Sequence, residues 1–260
     1  MIDPLMFIAL LPAVVLVVYI CRKDRTDKEP PALLAKLLGF GALSCLPAIV
    51  VELILSAIIE RLNVRNVYLG YFLEAFVVAG LTEETCKFLF LRTTWRNPAF
   101  DYQFDAIVYA VMVALGFAAF ENVKYVYSYG FATGIVRAVT AVPGHAIFGV
   151  FMGYFYGYAK LSDYWGRDDD RKAYLALSVV VPVLMHGCYD FLAFTQESDS
   201  RFTLLFYAYL VALYVFGIRR VNRSSRDDRR VTRETVFDYF RRMQYPMPPQ
   251  YRDRNDDFWR

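Results

Sequence analysis

The sequence predicts an all-α protein, a polytopic transmembrane bundle of about seven spans. Three observations carry that reading. The chain is 57% hydrophobic and 17% aromatic over 260 residues, with a mean hydropathy of +0.30. Its apolar residues come in long unbroken runs, where a water-soluble domain breaks them into amphipathic stripes. Its charge is unevenly spread: the net charge is only +3, yet residues 219–260 are rich in Arg and Asp while residues 1–218 are mostly apolar.

A membrane-crossing helix needs roughly 20 predominantly apolar residues. Seven stretches meet this, at about 5–21, 32–59, 67–92, 105–128, 133–160, 173–195 and 202–218. In the first, the apolar run precedes Arg22-Lys23. A cleavable leader has its basic residues before the run, so this segment reads as a retained helix. Glu29-Pro30-Pro31 separates the first two spans, Arg96-Asn97-Pro98 follows the third, and Tyr129-Gly130 follows the fourth. Asp168-Asp169-Asp170 and Glu197-Ser198-Asp199 punctuate the last two connections. The domain reading is a bundle over 1–218 and a charged, mostly disordered tail over 219–260, within which 231–243 has the pattern of a short amphipathic surface helix.

Lys and Arg in short loops set orientation. Arg22, Lys23, Arg25 and Lys28, then Arg92 and Arg96, then Lys160, Arg167, Arg171 and Lys172 fall in alternate loops, on the side of the basic tail. That side is expected to face the cytoplasm, with the N-terminus outside. Cys21, Cys45, Cys86 and Cys188 form no CxxC pair and read as free thiols packed in helices.

Ionisable groups inside spans are the informative residues, because burying them in a bilayer is costly and they need partners. The third span holds Glu83-Glu84-Thr85-Cys86-Lys87. Glu83 and Lys87 are one turn apart and can pair, leaving Glu84 beside them. The fourth holds Glu121-Asn122 after the small residues Gly116, Ala118 and Ala119, with Lys124 as a candidate partner of Glu121. In the fifth, His145 follows Pro143-Gly144 and is followed at four-residue intervals by Gly149, Gly153 and Gly157, a face along which another helix can approach closely. The sixth has His186 and Asp190 one turn apart, so that the carboxylate can orient the imidazole. Both histidines of the chain lie in spans beside glycine. Glu52 and Glu74 read as structural. No HExxH, GxSxG, phosphate-binding loop or dinucleotide fingerprint occurs, which argues against zincin, serine hydrolase and nucleotide chemistry. Nothing in the charge pattern points to nucleic acid.

Taken together the segments resemble the PrsW family of intramembrane proteases, grouped with the type II CAAX prenyl endopeptidases and the Aph-1 subunit of γ-secretase. The resemblance lies in EExxK at Glu83 to Lys87, FxxxE at Phe117 to Glu121, His145 followed by Gly149, and HxxxD at His186 to Asp190, in order on successive spans. It covers roughly residues 1–218. It implies a glutamate-dependent endopeptidase of the bacterial plasma membrane, acting on a membrane-anchored protein such as an anti-sigma factor. Glu83 or Glu84, aided by Glu121, would hold and deprotonate the water, His145 and His186 would donate to the oxyanion or leaving amine, Asp190 would fix His186, and Lys87 and Asn122 would support them.

No cofactor is expected on this reading. The alternative is a divalent metal held by Glu121, His145 and His186. A non-catalytic scaffold held by the same polar groups is a second rival, and a proton-coupled transporter a third. The span limits raise one difficulty: Glu121, His186 and Asp190 fall nearer the outer side than Glu83 and Glu84.

Overall fold

A computed structural model describes residues 3–231 and Met243. The regular structure of the described residues is helical, with one isolated bridge between Tyr102 and Arg230. Helices α1 (Pro4–Lys23) and α2 (Pro31–Arg61) are followed by a third passage in three parts: α3 (Val67–Phe72), a π-helical stretch (Leu73–Leu81) and α4 (Thr82–Leu91). Then come α5 (Asp105–Tyr129), α6 (Phe131–Val139), α7 (Ala141–Tyr164), α8 (Asp168–Ser198) and α9 (Arg201–Arg226).

Six stretches are long and apolar enough to cross a membrane, α6 and α7 counting as one. The third passage is not among these six. It is helical from Val67 to Leu91 but interrupts its apolar run with Glu74, Glu83, Glu84 and Lys87. The chain is an integral membrane protein of all-α class.

Helix α5 is the axis of the bundle, buried along most of its length between α7 and α2. Its alanines and Gly116 permit this: a Cβ on Gly116 would collide with the Leu38 carbonyl of α2. On α7, the glycines at 149 and 153 lie against the α5 backbone at Ala110 and Ala106, and Gly157 lies against the backbone of Gln103 just before α5. Without a hydrophobic drive between helices in lipid, such close backbone packing supplies the association. The apolar faces of α1, α2 and α9 stay largely exposed, as lipid-facing surfaces do.

Two local departures shape the interior. The expected fifth span is broken at Thr140, between α6 and α7. Pro143 has no N–H for the carbonyl of Val139 four residues back, and that carbonyl accepts the Tyr214 hydroxyl instead. The π stretch packs against α8 where Gly187 leaves room for the ring of Phe76.

At the end opposite Asp3, α9 runs on to Arg226, past residue 219 where the sequence suggests a tail. The strand-like segment after it is tied back, with Gln103 N–H donating to Arg229 O (2.8 Å) and Val231 N–H to Asp101 O (2.6 Å). Except for Val231 and Met243, the expected surface helix at 231–243 lies outside the described residues.

Candidate active site

The third passage delivers its charges inward. Helical side chains lean toward the N-terminus of their helix, so Lys87 reaches back over Glu83 and Glu84. Its Nζ lies 3.1 Å from Glu83 Oε2 and 2.7 Å from Glu84 Oε1. Lys87 therefore serves both carboxylates, and the tighter pair is with Glu84. Its ammonium also lies over the Phe117 ring, 4.1 Å from the centroid, a favourable cation–π position.

His186 of α8 meets the same carboxylates from the other side. Its Nδ1 is 2.9 Å from Glu84 Oε1, and its Nε2 is 3.3 Å from Asp190 Oδ2. With both ring nitrogens facing carboxylate oxygens, two N–H donors satisfy the ring, which is the cationic form. The ring stacks on Phe148 at 5.0 Å between centroids.

His145 of α7 joins this group to Glu121. Its Nδ1 is 3.0 Å from Lys87 Nζ, and its Nε2 is 3.0 Å from Glu121 Oε2. The stagger expected from the span limits does not separate His186, which touches Glu84 directly, while Glu121 joins the group through this one ring. Glu121 does not reach Glu83 or Glu84 directly.

The partner of Glu121 is Arg137, not Lys124. Arg137 Nη2 donates to Glu121 Oε2 at 2.7 Å, and its Nε donates to Asn122 Oδ1 at 3.0 Å. Lys124 instead lies over the Tyr125 ring. The reason is the turn at Gly130, which folds α6 back against α5, and the break at Thr140, which sets α6 apart from α7 and leaves Arg137 aimed at Glu121. Asn122 Nδ2 in turn donates to the Ala9 carbonyl of α1 (2.8 Å), tying the outer part of the site to the first helix.

A cavity of about 460 Å³ borders the cluster. Glu83, Glu121, Arg137, His145, His186 and Asp190 line its inner part. It extends past Glu52, Glu74, Lys124 and Glu197 toward the end of the bundle that holds Asp3 and Ser198. Glu84 is fully buried behind this wall and does not line it. Ser56 Oγ donates to Glu74 Oε2 (3.1 Å), and Glu52 Oε1 is buried with no partner among the described residues.

Sequence reasoning passed over Arg137 and treated Glu52 and Glu74 as structural, although all three border this cavity. The signal for Arg137 was present: it is a charge within the expected fifth span, as costly to bury as Glu121.

The donor set also bears on metal binding. Ligand atoms of Glu83, Glu84, His145 and His186 all lie within 4.8 Å of one another. Glu121 is not in this set, because it is held by Arg137 and by the far nitrogen of His145. The three-residue ligand group of Glu121, His145 and His186 is thus replaced by a four-residue one. Two imidazoles and two carboxylates suit a divalent ion such as zinc, and Glu84 Oε2 is a buried oxygen with no protein partner. The set fits an ion on two conditions: Lys87, whose ammonium already sits among three of the four donors, has to turn away, and His186 has to give up the proton on the ligating nitrogen.

Comparison with known proteins decides the family. The family model described as PrsW family intramembrane metalloprotease matches residues 29–218. The chain belongs to the PrsW family. Similar relatives include Protease PrsW of Oceanobacillus iheyensis, 35% identical over 215 residues, covering 82% of this chain and 93% of the relative. Protease PrsW of Bacillus subtilis is 34% identical over 214 residues, covering 82% and 92%. That of Clostridioides difficile is 30% identical over 232 residues, covering 87% and 94%. No solved structure matches. As a PrsW family member the chain is a membrane-embedded peptidase, and the match spans every passage that contributes to the cluster.

Proposed function

We propose that this chain is an intramembrane endopeptidase in which Glu83 activates the attacking water. The observation that carries the reading is the convergence of ionisable groups from four helices on the inner wall of one cavity. Glu83 is preferred to Glu84 because it faces that cavity, whereas Glu84 is enclosed by Lys87 and His186. Glu83 accepts the proton of the water. His186 and His145 line the space where an oxyanion and a leaving amine would form, and would donate to them by redirecting the Nε2 protons that Asp190 and Glu121 hold in the resting site. Asp190 holds His186, and Lys87 limits repulsion between the paired carboxylates.

The basic loops lie at the end of the bundle away from the cavity mouth. Under the positive-inside tendency they face the cytoplasm, with the N-terminus outside. The substrate then reaches the site from outside, in a bacterial plasma membrane. A single-span membrane-anchored protein suits such a cavity, and anti-sigma factors are the first of these to test.

The donor set favours one second reading. Glu83, Glu84, His145 and His186 would hold a divalent ion, which would supply Lewis acidity toward the carbonyl and a more acidic bound water.

The test is cleavage of single-span substrates by purified protein, with and without chelator. We expect Glu83→Gln to lose cleavage and wild type to keep it in chelator. Full activity of Glu83→Gln overturns the glutamate reading. Chelator-abolished activity restored by one metal replaces it with the metal reading.

A further inference from the structure

We propose that a groove between α5, α7 and α9, remote from the catalytic cavity, binds one anionic phospholipid, its phosphate at Arg220 and Arg229 and an acyl chain in the apolar cavity beside them.

Two separate cavities lie along the same helix faces. The first, of about 180 Å³, is lined by apolar side chains and by Tyr19 and Tyr214, among them Val111 of α5, Ile147 and Val150 of α7, and Ile218 and Val221 of α9. The second, of about 230 Å³, is lined by Ile107, Tyr154, Tyr158, Arg220, Arg223 and Arg229 among others. On α7 the lining positions run Ile147, Val150, Tyr154, Tyr158, and on α5 they run Ile107, Val111, at the three- and four-residue steps of one helical face. On α5 and α7 the basic cavity therefore follows the apolar one along a single face, the two remaining separate spaces. That sequence of chemistry matches an amphiphile standing along the bundle.

The basic end is available for an anion. Arg223 is engaged by Asp227 at 3.5 Å. Arg220 stacks on Tyr154, 3.9 Å from the ring centroid, and has no carboxylate partner among the described residues. Arg229 is held through its backbone carbonyl by Gln103, so its position is fixed while its guanidinium has no partner among the described residues. Both arginines stand where the apolar part of α9 ends, next to two tyrosines, the position of an interfacial belt. Guanidinium pairs phosphate with planar, two-pronged hydrogen bonding, and basic residues near a membrane surface attract anionic lipid.

The test is native mass spectrometry of the full chain in detergent, with phosphatidylglycerol, phosphatidylcholine and glycerol 3-phosphate as probes. Wild type is expected to retain phosphatidylglycerol over phosphatidylcholine by about fivefold or more. The double substitution Arg220→Gln with Arg229→Gln should erase that preference. Ile218→Trp, at an exposed groove position, should lower retention of phosphatidylglycerol while leaving the arginines in place. Gel filtration and helicity like wild type check that each variant is folded. Equal retention of the two lipids by wild type, or an unchanged preference in the double variant, overturns the proposal. Unchanged retention in Ile218→Trp removes the acyl site, and glycerol 3-phosphate bound as well as phosphatidylglycerol replaces the lipid with a soluble phosphate ester.

Discussion

Lys87 Nζ lies 3.0 Å from Nδ1 of His145, and an ammonium has only protons to offer. Nδ1 must therefore accept. The ring hydrogen sits on Nε2 and is donated to Glu121 Oε2 at 3.0 Å. One contact thus fixes the tautomer of the imidazole that joins the two halves of the site. His145→Ala removes that link and a ring that lines the cavity. Cleavage should fall by about 100-fold or more, with the protein still monodisperse and helical. Activity within a few-fold of wild type would exclude His145 from the reaction.

Glu83 and Glu84 are neighbours with different burdens. Glu84 accepts from both Lys87 and His186 and is fully buried. Glu84→Gln keeps an acceptor oxygen but removes the negative charge that two buried cations share, a loss of about 3–5 kcal/mol for a broken buried ion pair. Glu83 has Lys87 at 3.1 Å and His186 only at 3.9 Å. Glu83→Gln should stop cleavage at a smaller cost in stability. Denaturant unfolding in detergent beside a cleavage assay separates the two, and equal stability losses would refute the division of roles.

Arg137 touches Glu121 and Asn122 together. It acts through Glu121, and a misplaced catalytic group costs about 100-fold in rate. Arg137→Ala should lower kcat on that scale with KM little changed. Arg137→Lys should recover part of it, since Lys keeps the charge but not the fork that spans both partners. No recovery by Lys together with a large rise in KM would indicate a substrate contact instead.

Glu29 lies in the first loop, away from the cavity. Burial pushes its carboxyl up to about 7, against the hydrogen bond donated by the Tyr109 hydroxyl at 2.6 Å. The folded protein then binds this proton more tightly than the unfolded chain, so stability falls as pH rises from the ordinary value of 4.5 toward 7. Glu29→Gln should flatten the fall in thermal stability from about pH 5 to about pH 8. An unchanged slope would place the pH dependence elsewhere.

Much of this architecture is visible in the residues. The long apolar runs give the helices, and the cost of a buried charge marks Glu83, Glu84, Glu121, His145, His186 and Asp190. The glycines at 149, 153 and 157 foretell the α5–α7 contact because only a missing Cβ permits it. What the sequence hides is direction. The break at Thr140 follows from Pro143, but that α6 then folds against α5 and presents Arg137 to Glu121 depends on tertiary packing. The choice of Lys87 between two glutamates, and the enclosure of Glu84 behind Glu83, depend on α8, which lies about a hundred residues further along the chain.

The π stretch from Leu73 to Leu81 immediately precedes Thr82 and Glu83. Wide turns of this kind hold more residues than an α-helix would over the same number of turns, and they recur at functional sites. Removing one residue there would rewind the passage and swing everything beyond it by about 100°. The carboxylates would then face lipid while each helix remained intact. The length of this segment is accordingly a setting of phase, and an insertion or deletion at 73–81 is expected to abolish cleavage without touching any of the clustered ionisable side chains.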